Sequence, residues 1–288
     1  MGRVRGLLAA ALLVLVTASA CGERKEPTGA LVQVFPVTVH GAGERATVVG
    51  SAPKRIVPVG AGPRQILKAL GLQKRTVTVD DTLVGLPLVG AIRRAKPDLI
   101  IASSDTDPLD LARARTATQA NVYAEPSSSL DDVVKAIGDI GLVTGRPIRA
   151  RRLTAAIEAR RKAVARALAT APVVKVFVDH GDFSTISARS LLGDLIGQAK
   201  GSNVAGPSPE QGPFPLGRLR RLDPDVYFAT AGSGRTLKQL RSNAAAKRLR
   251  AVRTGRFAIL PSDANVAGPR VGRALEQVAR LLHPDALR

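Results

Sequence analysis

The sequence predicts an α/β fold with two βα lobes, one long helix that joins them, and a ligand cleft between the lobes. Short apolar segments alternate with helical segments both before and after residues 147–170, which is the pattern of parallel βα units. Segment 147–169 begins with a proline and places its apolar residues on one stripe, so we expect a single helix of roughly 35 Å. Segments 89–102 and 216–229 align without a gap, which indicates that the two lobes share one plan.

The predicted elements form two series along the chain. In the first lobe they are 31–39 and 46–49 (hairpin), 56–59 (strand), 63–72 (helix), 76–79, 99–102 and 121–124 (strands), and 130–143 (helix). In the second lobe they are 173–178 (strand), 191–199 (helix), 226–229 and 257–260 (strands), and 269–282 (helix). A short helix is expected before the Pro-Asp pair of each lobe. The predicted boundaries are 1–20 for a signal peptide, 21–30 for a tether, 31–146 for the first lobe, 147–170 for the linking helix, and 171–288 for the second lobe.

Basic residues dominate the composition. The 288 residues include 43 Lys and Arg against 23 Asp and Glu, which gives a formal net charge of +20. This charge could bind nucleic acid, an anionic ligand, or an anionic membrane or wall surface. It could also reflect an Arg- and Ala-rich composition without a binding role. The chain has no Trp and only 3% aromatic residues, whereas single-stranded nucleic acid requires aromatic stacking platforms. We therefore predict no nucleic-acid partner, and we expect a monomer.

The only cysteine, Cys21, indicates export and lipid anchoring. Arg3 and Arg5 precede an apolar run at 6–16, which is too short to span a bilayer but suits a signal peptide. Small residues at 18–20 stand directly before Cys21, and this stretch resembles the lipobox of bacterial lipoproteins, although Leu is commoner at position 18. In that scheme acyl chains on Cys21 hold the protein at the outer face of the cytoplasmic membrane. An ordinary secretory signal with a chance cysteine is the alternative.

A series of short motifs follows the tether. They are Phe35-Pro-Val-Thr-Val with Ala52-Pro-Lys-Arg-Ile-Val, Ala95-Lys-Pro-Asp-Leu-Ile, Ser190-Leu-Leu-Gly-Asp-Leu-Ile with Gly201-Ser-Asn-Val-Ala, Thr254-Gly-Arg-Phe-Ala-Ile-Leu, Gly268-Pro-Arg and Leu282-His-Pro. In this order and spacing they resemble the periplasmic binding proteins for vitamin B12, iron-siderophores and haem, whose lobes are joined by one rigid helix. The resemblance covers nearly the whole chain after the signal peptide and implies two Rossmann-like lobes.

The resemblance also implies a function. It implies an extracytoplasmic lipoprotein that captures a ferric chelate, cobalamin or a haem-like ligand for an ABC importer. Because few aromatic residues are available to clamp a corrin or haem face, the sequence favours a polar, anionic ligand such as a ferric chelate. A surface lipoprotein that uses the same fold for sensing, adhesion or cell-wall interaction is the alternative. No catalytic residue, cofactor or metal site is predicted, since the three His residues are scattered and no nucleophile motif is present.

Ligand contacts are expected in the loops that follow the strands, because ligands of open α/β sheets gather at the carboxyl ends of strands. Arg64 is the most specific candidate. A cation in the first turn opposes the helix dipole, yet beside free backbone N–H groups it suits an anionic ligand. A plain solvent-exposed Arg, and plain loop structure for the other residues, are the alternatives. The predicted ligand-binding residues are Gly62, Arg64, Asp81, Ser103, Ser104, His180, Phe183, Phe214, Asp263 and Asn265.

Two glycines stand where the resembling family carries acidic residues. Its members that feed importers typically have one Glu on each lobe, ahead of the Pro-Asp strand, which pairs with Arg on the membrane subunits. Counting back from Pro97 and Pro224, these places hold Gly90 and Gly217, each followed by a pair of arginines. An ABC permease therefore stays open as a partner, and the residues that would contact it are unassigned.

Overall fold

The computed structural model describes residues 35–80, 82–206 and 212–287. The first lobe opens with an antiparallel hairpin of β1 (Val37–His40) and β2 (Ala46–Val49). Strands β3 (Ile56–Val59), β4 (Leu99–Ala102) and β5 (Asn121–Ala124) then form a parallel sheet in the order β3-β4-β5. The helices of this lobe are α1 (Ala61–Ala69), α2 (Gly85–Ala95), α3 (Pro108–Thr118) and α4 (Leu130–Val143).

Helix α5 (Pro147–Ala167) leads from the first lobe into the second. There β6 (Val174–Asp179), β7 (Gly201–Asn203), β8 (Val226–Thr230) and β9 (Phe257–Leu260) form a parallel sheet in the order β7-β6-β8-β9. The helices are α6 (Leu191–Gln198), α7 (Leu216–Leu222), α8 (Leu237–Ser242), α9 (Arg250–Arg253) and α10 (Val271–Leu282). Two βα lobes and one long helix are thus the observed architecture.

Some predicted elements differ from the observed ones. Segment 76–79, predicted as a strand, forms only a bridge between Thr76 and Ile56, because its one ladder bond runs from the Val77 N–H to the Ile56 carbonyl at 2.8 Å. No strand is predicted between 199 and 226, where the structure has β7, which pairs with the start of β6. Helix α5 ends at Ala167 rather than at residue 169.

The central strands of both sheets are mostly buried. In β4, Leu99, Ile100 and Ile101 are each 0% exposed, and in β6 the same is true of Val176 and Phe177. A continuous apolar run is what a parallel strand needs when helices cover both faces of its sheet. Each such side chain contributes about 1.5–3 kcal/mol by leaving water, so these strands anchor the loops that follow them.

The aligned Pro-Asp segments have the same structure in both lobes. In the first lobe, Asp98 Oδ1 accepts a hydrogen bond from the Arg55 N–H at 3.0 Å, and the Asp98 N–H donates to the Arg55 carbonyl at 3.0 Å. In the second lobe, Asp225 accepts from the Lys175 N–H at 3.1 Å and donates to its carbonyl at 2.8 Å. The sequence repeat therefore reflects a shared way of joining a helix to a strand.

Helix α5 packs against both lobes. It contacts α4 in the first lobe and α10 in the second, and its buried residues are Ala150, Ile157 and Val164. The stripe that they form has a seven-residue spacing, which keeps one face of a helix against its neighbours. Arg160 also forms an ion pair with Glu276 of α10, in which its Nη1 donates to Oε1 at 2.9 Å and to Oε2 at 2.7 Å. In the described ranges, no helix is apolar and long enough to cross a bilayer.

Candidate functional site

A cavity of about 380 Å³ lies between the two lobes, at the carboxyl ends of their strands. The first lobe contributes the loops after β3, β4 and β5, and the second contributes the start of α6 and the segment between β9 and α10. The lining residues are 60–62, 103–105, 127–128, 190–191 and 265–267. Because loops from both lobes meet here, this cavity has the location expected of a ligand cleft.

Two glycines near the start of α1 form the inner wall of the cavity. Gly60, the N-cap, has a φ of 98°, and a Cβ there would lie 2.8 Å from the Cβ of Ser103, so the turn requires glycine. At Gly62 a Cβ would come within 2.4 Å of the Ala267 carbonyl oxygen in the second lobe and of Glu125 Oε1 in the first. Gly62 therefore lies where the lobes touch, and a side chain at this position would push them apart.

A second contact between the lobes lies at the start of α4. The Asp194 carboxylate on α6 accepts a hydrogen bond from the Leu130 N–H at 2.9 Å, and it also accepts one from Gln198 at 2.8 Å. The N-cap of α4, Ser129, accepts from the Asp132 N–H. A carboxylate beside the first N–H groups of a helix is favoured by the helix dipole. Asp194 thus holds the two lobes together beside the cavity.

Four of the predicted ligand-binding residues line the cavity. They are Gly62, Ser103, Ser104 and Asn265. The Ser104 hydroxyl lies 2.5 Å from that of Ser127, so part of the wall is a pair of hydrogen-bonded hydroxyls. Arg64 is half-buried and is not among the lining residues. Asp81 and Cys21 lie outside the described residues.

The other four predicted residues do not line this cavity. Phe214 is only 2% exposed, because its ring packs in the second-lobe core with a centroid 5.9 Å from that of Phe177. Asp263 forms an ion pair with Arg270 at 3.3 Å. The remaining two lie in the loop after β6, where His180 is exposed and Phe183 is half-buried.

A buried carboxylate, Asp179 at the end of β6, organises that loop. It is 0% exposed, and it accepts hydrogen bonds from the N–H groups of Gly181 (2.9 Å) and Phe183 (3.1 Å). Its other oxygen accepts from the Tyr227 hydroxyl at 2.6 Å and from Arg235 Nε at 2.9 Å. Burial is the main cause that raises the pKa of Tyr227, and the hydrogen bond from its hydroxyl to Asp179 raises that pKa further. The Arg235 guanidinium also stacks on the Phe183 ring, 4.4 Å from its centroid.

Sequence reasoning missed Glu125, which follows β5 directly. Its side chain is 0% exposed, and neither carboxyl oxygen has a hydrogen-bond partner in the described part of the chain. Burial, with a smaller effect of Asp105, raises the pKa of Glu125 from 4.5 to about 9. The signal for this residue was an acid directly after an apolar strand, which is the same signal that marks Asp179.

The lining of the cavity is polar but carries little charge. Asp105 is its one charged residue among the described ones, and the other polar side chains are Ser and Asn. The predicted anionic ligand therefore finds no Arg or Lys among the described residues of the lining. In the residues that the structure describes, no group of three or more His, Cys, Asp and Glu could hold a metal ion.

The two glycines at the expected glutamate positions lie on helices with exposed basic ends. A Cβ at Gly217 of α7 would meet nothing within 4 Å, and one at Gly90 of α2 would meet only the Arg94 side chain at 3.5 Å. Packing therefore does not require glycine at either position. The arginines that follow them are exposed: Arg93, Arg94, Arg220 and Arg221.

Two curated relatives align with nearly the whole chain. A cobalamin-binding protein of Halobacterium salinarum (strain ATCC 29341 / DSM 671 / R1) is 25% identical over 313 residues, which cover 98% of this chain and 85% of that protein. A protein of Bacillus subtilis (strain 168), named as an uncharacterized ABC transporter substrate-binding lipoprotein, YvrC, is 23% identical, and the alignment covers 100% of both chains.

The fold has solved counterparts. CeuE of Helicobacter pylori, solved as a Ni-His complex, matches with a TM-score of 0.76 and 14% identity, over 87% of this chain and 89% of that one. The model of the periplasmic binding protein family matches residues 85–264, which is more than half of the 288 residues. The chain therefore belongs to the periplasmic binding protein family.

Proposed function

We propose that this protein captures a small solute between its lobes, outside the cytoplasm, and delivers it to an ABC importer. The observation that carries the proposal is the cavity of about 380 Å³ whose walls come from both lobes. A solute in this position contacts both lobes at once, so its binding favours their closed arrangement. Membership of a substrate-binding family makes the protein a binder and not an enzyme.

The proposed ligand is a ferric chelate, cobalamin or a haem-like molecule. The Halobacterium relative, which is named for cobalamin binding, supports this class. The cavity volume falls within the usual range of small-molecule sites, about 300–1,000 Å³. Its walls carry hydroxyl and amide groups and the Asp105 carboxylate among glycine, alanine, leucine and valine residues, and a wall of this kind suits a polar chelate better than a flat apolar face.

The proposed location is the outer face of the cytoplasmic membrane, with a lipid anchor on Cys21. The support is the signal pattern of residues 1–21 together with a relative that is itself named a lipoprotein. Cys21→Ala should abolish labelling by a radioactive fatty acid and shift the protein from the membrane fraction to the soluble one. Retention of the label after this substitution would contradict the anchor.

The proposed transport partner is an ABC permease that meets the outer faces of α2 and α7. Both helices end in exposed Arg pairs, and the positions at 90 and 217 carry no carboxylate. A permease that binds these faces must offer carboxylates, because like charges face to face are repulsive. Replacing Arg93 and Arg220 by Glu together should therefore reduce solute uptake while leaving solute binding unchanged.

The binding test uses calorimetric titration of the purified protein with cyanocobalamin, haem and ferrioxamine B. We expect one of the three to bind and to raise the melting temperature, because a ligand that binds only the folded state stabilises it. The matched control is Gly62→Leu, whose side chain would separate the lobes and should abolish binding. If none of the three binds the unmodified protein, the proposed ligand class is wrong.

A further inference from the structure

The carboxyl group of Glu125 lies directly behind the wall of the cleft. The Glu125 N–H donates to the Ala102 carbonyl at 2.8 Å, so the pairing of β4 with β5 continues to this residue and fixes its backbone. The side chain turns into the protein, where it is 0% exposed. A Cβ on Gly62 would lie 2.4 Å from Glu125 Oε1 and equally close to the Ala267 carbonyl oxygen. The carboxyl therefore fills the space where the two lobes meet.

This carboxyl lacks the partners that the other buried acids have. Asp179 accepts four hydrogen bonds, and Asp110 accepts one from the Gly85 N–H at 2.6 Å and lies 3.6 Å from Arg113. Neither oxygen of Glu125 has a hydrogen-bond partner in the described chain. A buried polar group without a partner costs free energy, so the site is poised for a donor that the protein itself does not supply.

The charges around the cleft indicate which kind of donor fits. Asp105, which lines the cavity, is the charged group among the described residues that acts on Glu125, and it raises the pKa of that carboxyl further. The described lining contains hydroxyls but neither Arg nor Lys. Asp105 and Glu125 repel each other, and the described lining supplies no cation, so a positive charge in the cavity would stabilise both acids.

Resting on the proposed function, we infer that the cleft recognises a ligand with a cationic nitrogen, which Glu125 and Asp105 bind through its ammonium hydrogens. Gly62 and Ala267 cover the carboxyl while the lobes touch, so the ligand reaches it when the lobes separate, and the lobes then close over the bound ligand with its ammonium group beside the carboxyl. When the ligand binds, the Glu125 carboxyl loses its proton to solvent, and the ammonium group takes the place of that proton. The product is an ion pair between the carboxylate and the ligand, so charge and protons balance.

The test compares two ferric chelates that differ in a single charge. Ferrioxamine B has a free ammonium group, whereas its N-acetylated form is the same chelate without that charge. We expect the full-length protein in detergent to bind ferrioxamine B about tenfold more tightly, since buried charge-assisted hydrogen bonds are strong. Binding at neutral pH should release protons into weakly buffered solution, and the acetylated chelate should release none.

Glu125→Gln should remove both the preference for ferrioxamine B and the release of protons. The affinity of the variant for the acetylated chelate should equal that of the unmodified protein. The matched control, Glu158→Gln, changes a half-buried acid on α5 and should leave the preference intact. Asp105→Asn, at an exposed position, should reduce the preference for ferrioxamine B, and it serves as the second variant if Glu125→Gln does not fold.

Equal affinity for the two chelates, or a preference that survives Glu125→Gln, would overturn this inference. Binding of cyanocobalamin alone, without any effect of Glu125→Gln, would also overturn it and would leave the proposed function standing. If no chelate, haem or cobalamin binds, the proposed ligand class is wrong, and the inference fails with it.

Discussion

At the scale of single residues, a buried carboxyl keeps its charge only when its neighbours supply hydrogen-bond donors. Asp179 receives donors from Tyr227 and Arg235, which stand far from it in the chain, as well as from its own loop. Glu125 receives none among the described residues, and its pKa rises to about 9. Glu125 directly follows β5 and Asp179 is the last residue of β6, so each acid comes directly after the apolar residues of a strand and the sequence marks the two positions alike. Only the folded chain brings donors to one of them.

The raised pKa of Glu125 predicts that stability depends on pH. The ordinary value of 4.5 applies to the unfolded chain and about 9 applies to the folded one. Between these values the folded chain binds the extra proton, so the free energy of unfolding decreases as pH rises, by up to about 1.4 kcal/mol per pH unit. Glu125→Gln should remove this slope. Urea unfolding of the unmodified protein and of Glu125→Gln across that pH range measures the slope. If the free energy of unfolding depends on pH equally in the two proteins, the raised pKa is contradicted.

At the scale of elements, the long helix and the strands followed from patterns within the sequence. The apolar stripe predicted for 147–169 is α5, and the alternation of strands and helices is the observed fold. Segment 76–79 failed as a strand, although its residues favour strands, because a single ladder hydrogen bond, from the Val77 N–H to the Ile56 carbonyl, joins it to β3. Local patterns predict helices well, because a helix makes its backbone hydrogen bonds within its own segment. They predict strands less well, because a strand needs a hydrogen-bond partner that is distant in the sequence.

The stripe on α5 predicts unequal costs for similar substitutions. Ile157 is 2% exposed, whereas Ile148, one of the apolar residues at the start of the same helix, is 38% exposed. Ile157→Ala should lower the free energy of unfolding by about 2–5 kcal/mol, because it leaves a cavity in the core. Ile148→Ala should cost less than about 1 kcal/mol. Denaturant unfolding of the two variants checks the difference, and equal costs would contradict the packing of α5.

At the scale of the whole molecule, the candidate site is made by contact between lobes that sequence patterns describe separately. The rule that ligands gather at strand ends located Gly62, Ser103, Ser104 and Asn265. It also selected Phe214 and Asp263, which the fold uses for core packing and for an ion pair. Which strand ends face each other depends on how the lobes dock. No local signal reports that arrangement: the sequence shows Glu125 directly after an apolar strand, but it does not show that this residue lies between the lobes.

The contact between the lobes predicts opposite effects for two Gly→Ala substitutions. Gly62 and Gly217 are each the second residue of a helix, so local helix propensity favours Ala at both by a few tenths of a kcal/mol up to about 1 kcal/mol. At Gly217 nothing lies within 4 Å, and stability should rise. At Gly62 the new methyl group would meet Ala267 and Glu125, so stability should fall by about 1–3 kcal/mol. Thermal unfolding compares them, and a gain at both positions would show that the lobes do not touch there.

The hydrogen bond from the Leu130 N–H to Asp194 gives the molecule an internal reporter of lobe separation. The donor belongs to the first lobe and the acceptor to the second, so this amide is protected only while the lobes are together. Neighbouring amides inside α4 are protected by their own helix and exchange with solvent by a different route. Hydrogen–deuterium exchange at Leu130, compared with exchange inside α4, should therefore measure how often the cleft opens. A bound ligand should slow the first rate and leave the second unchanged.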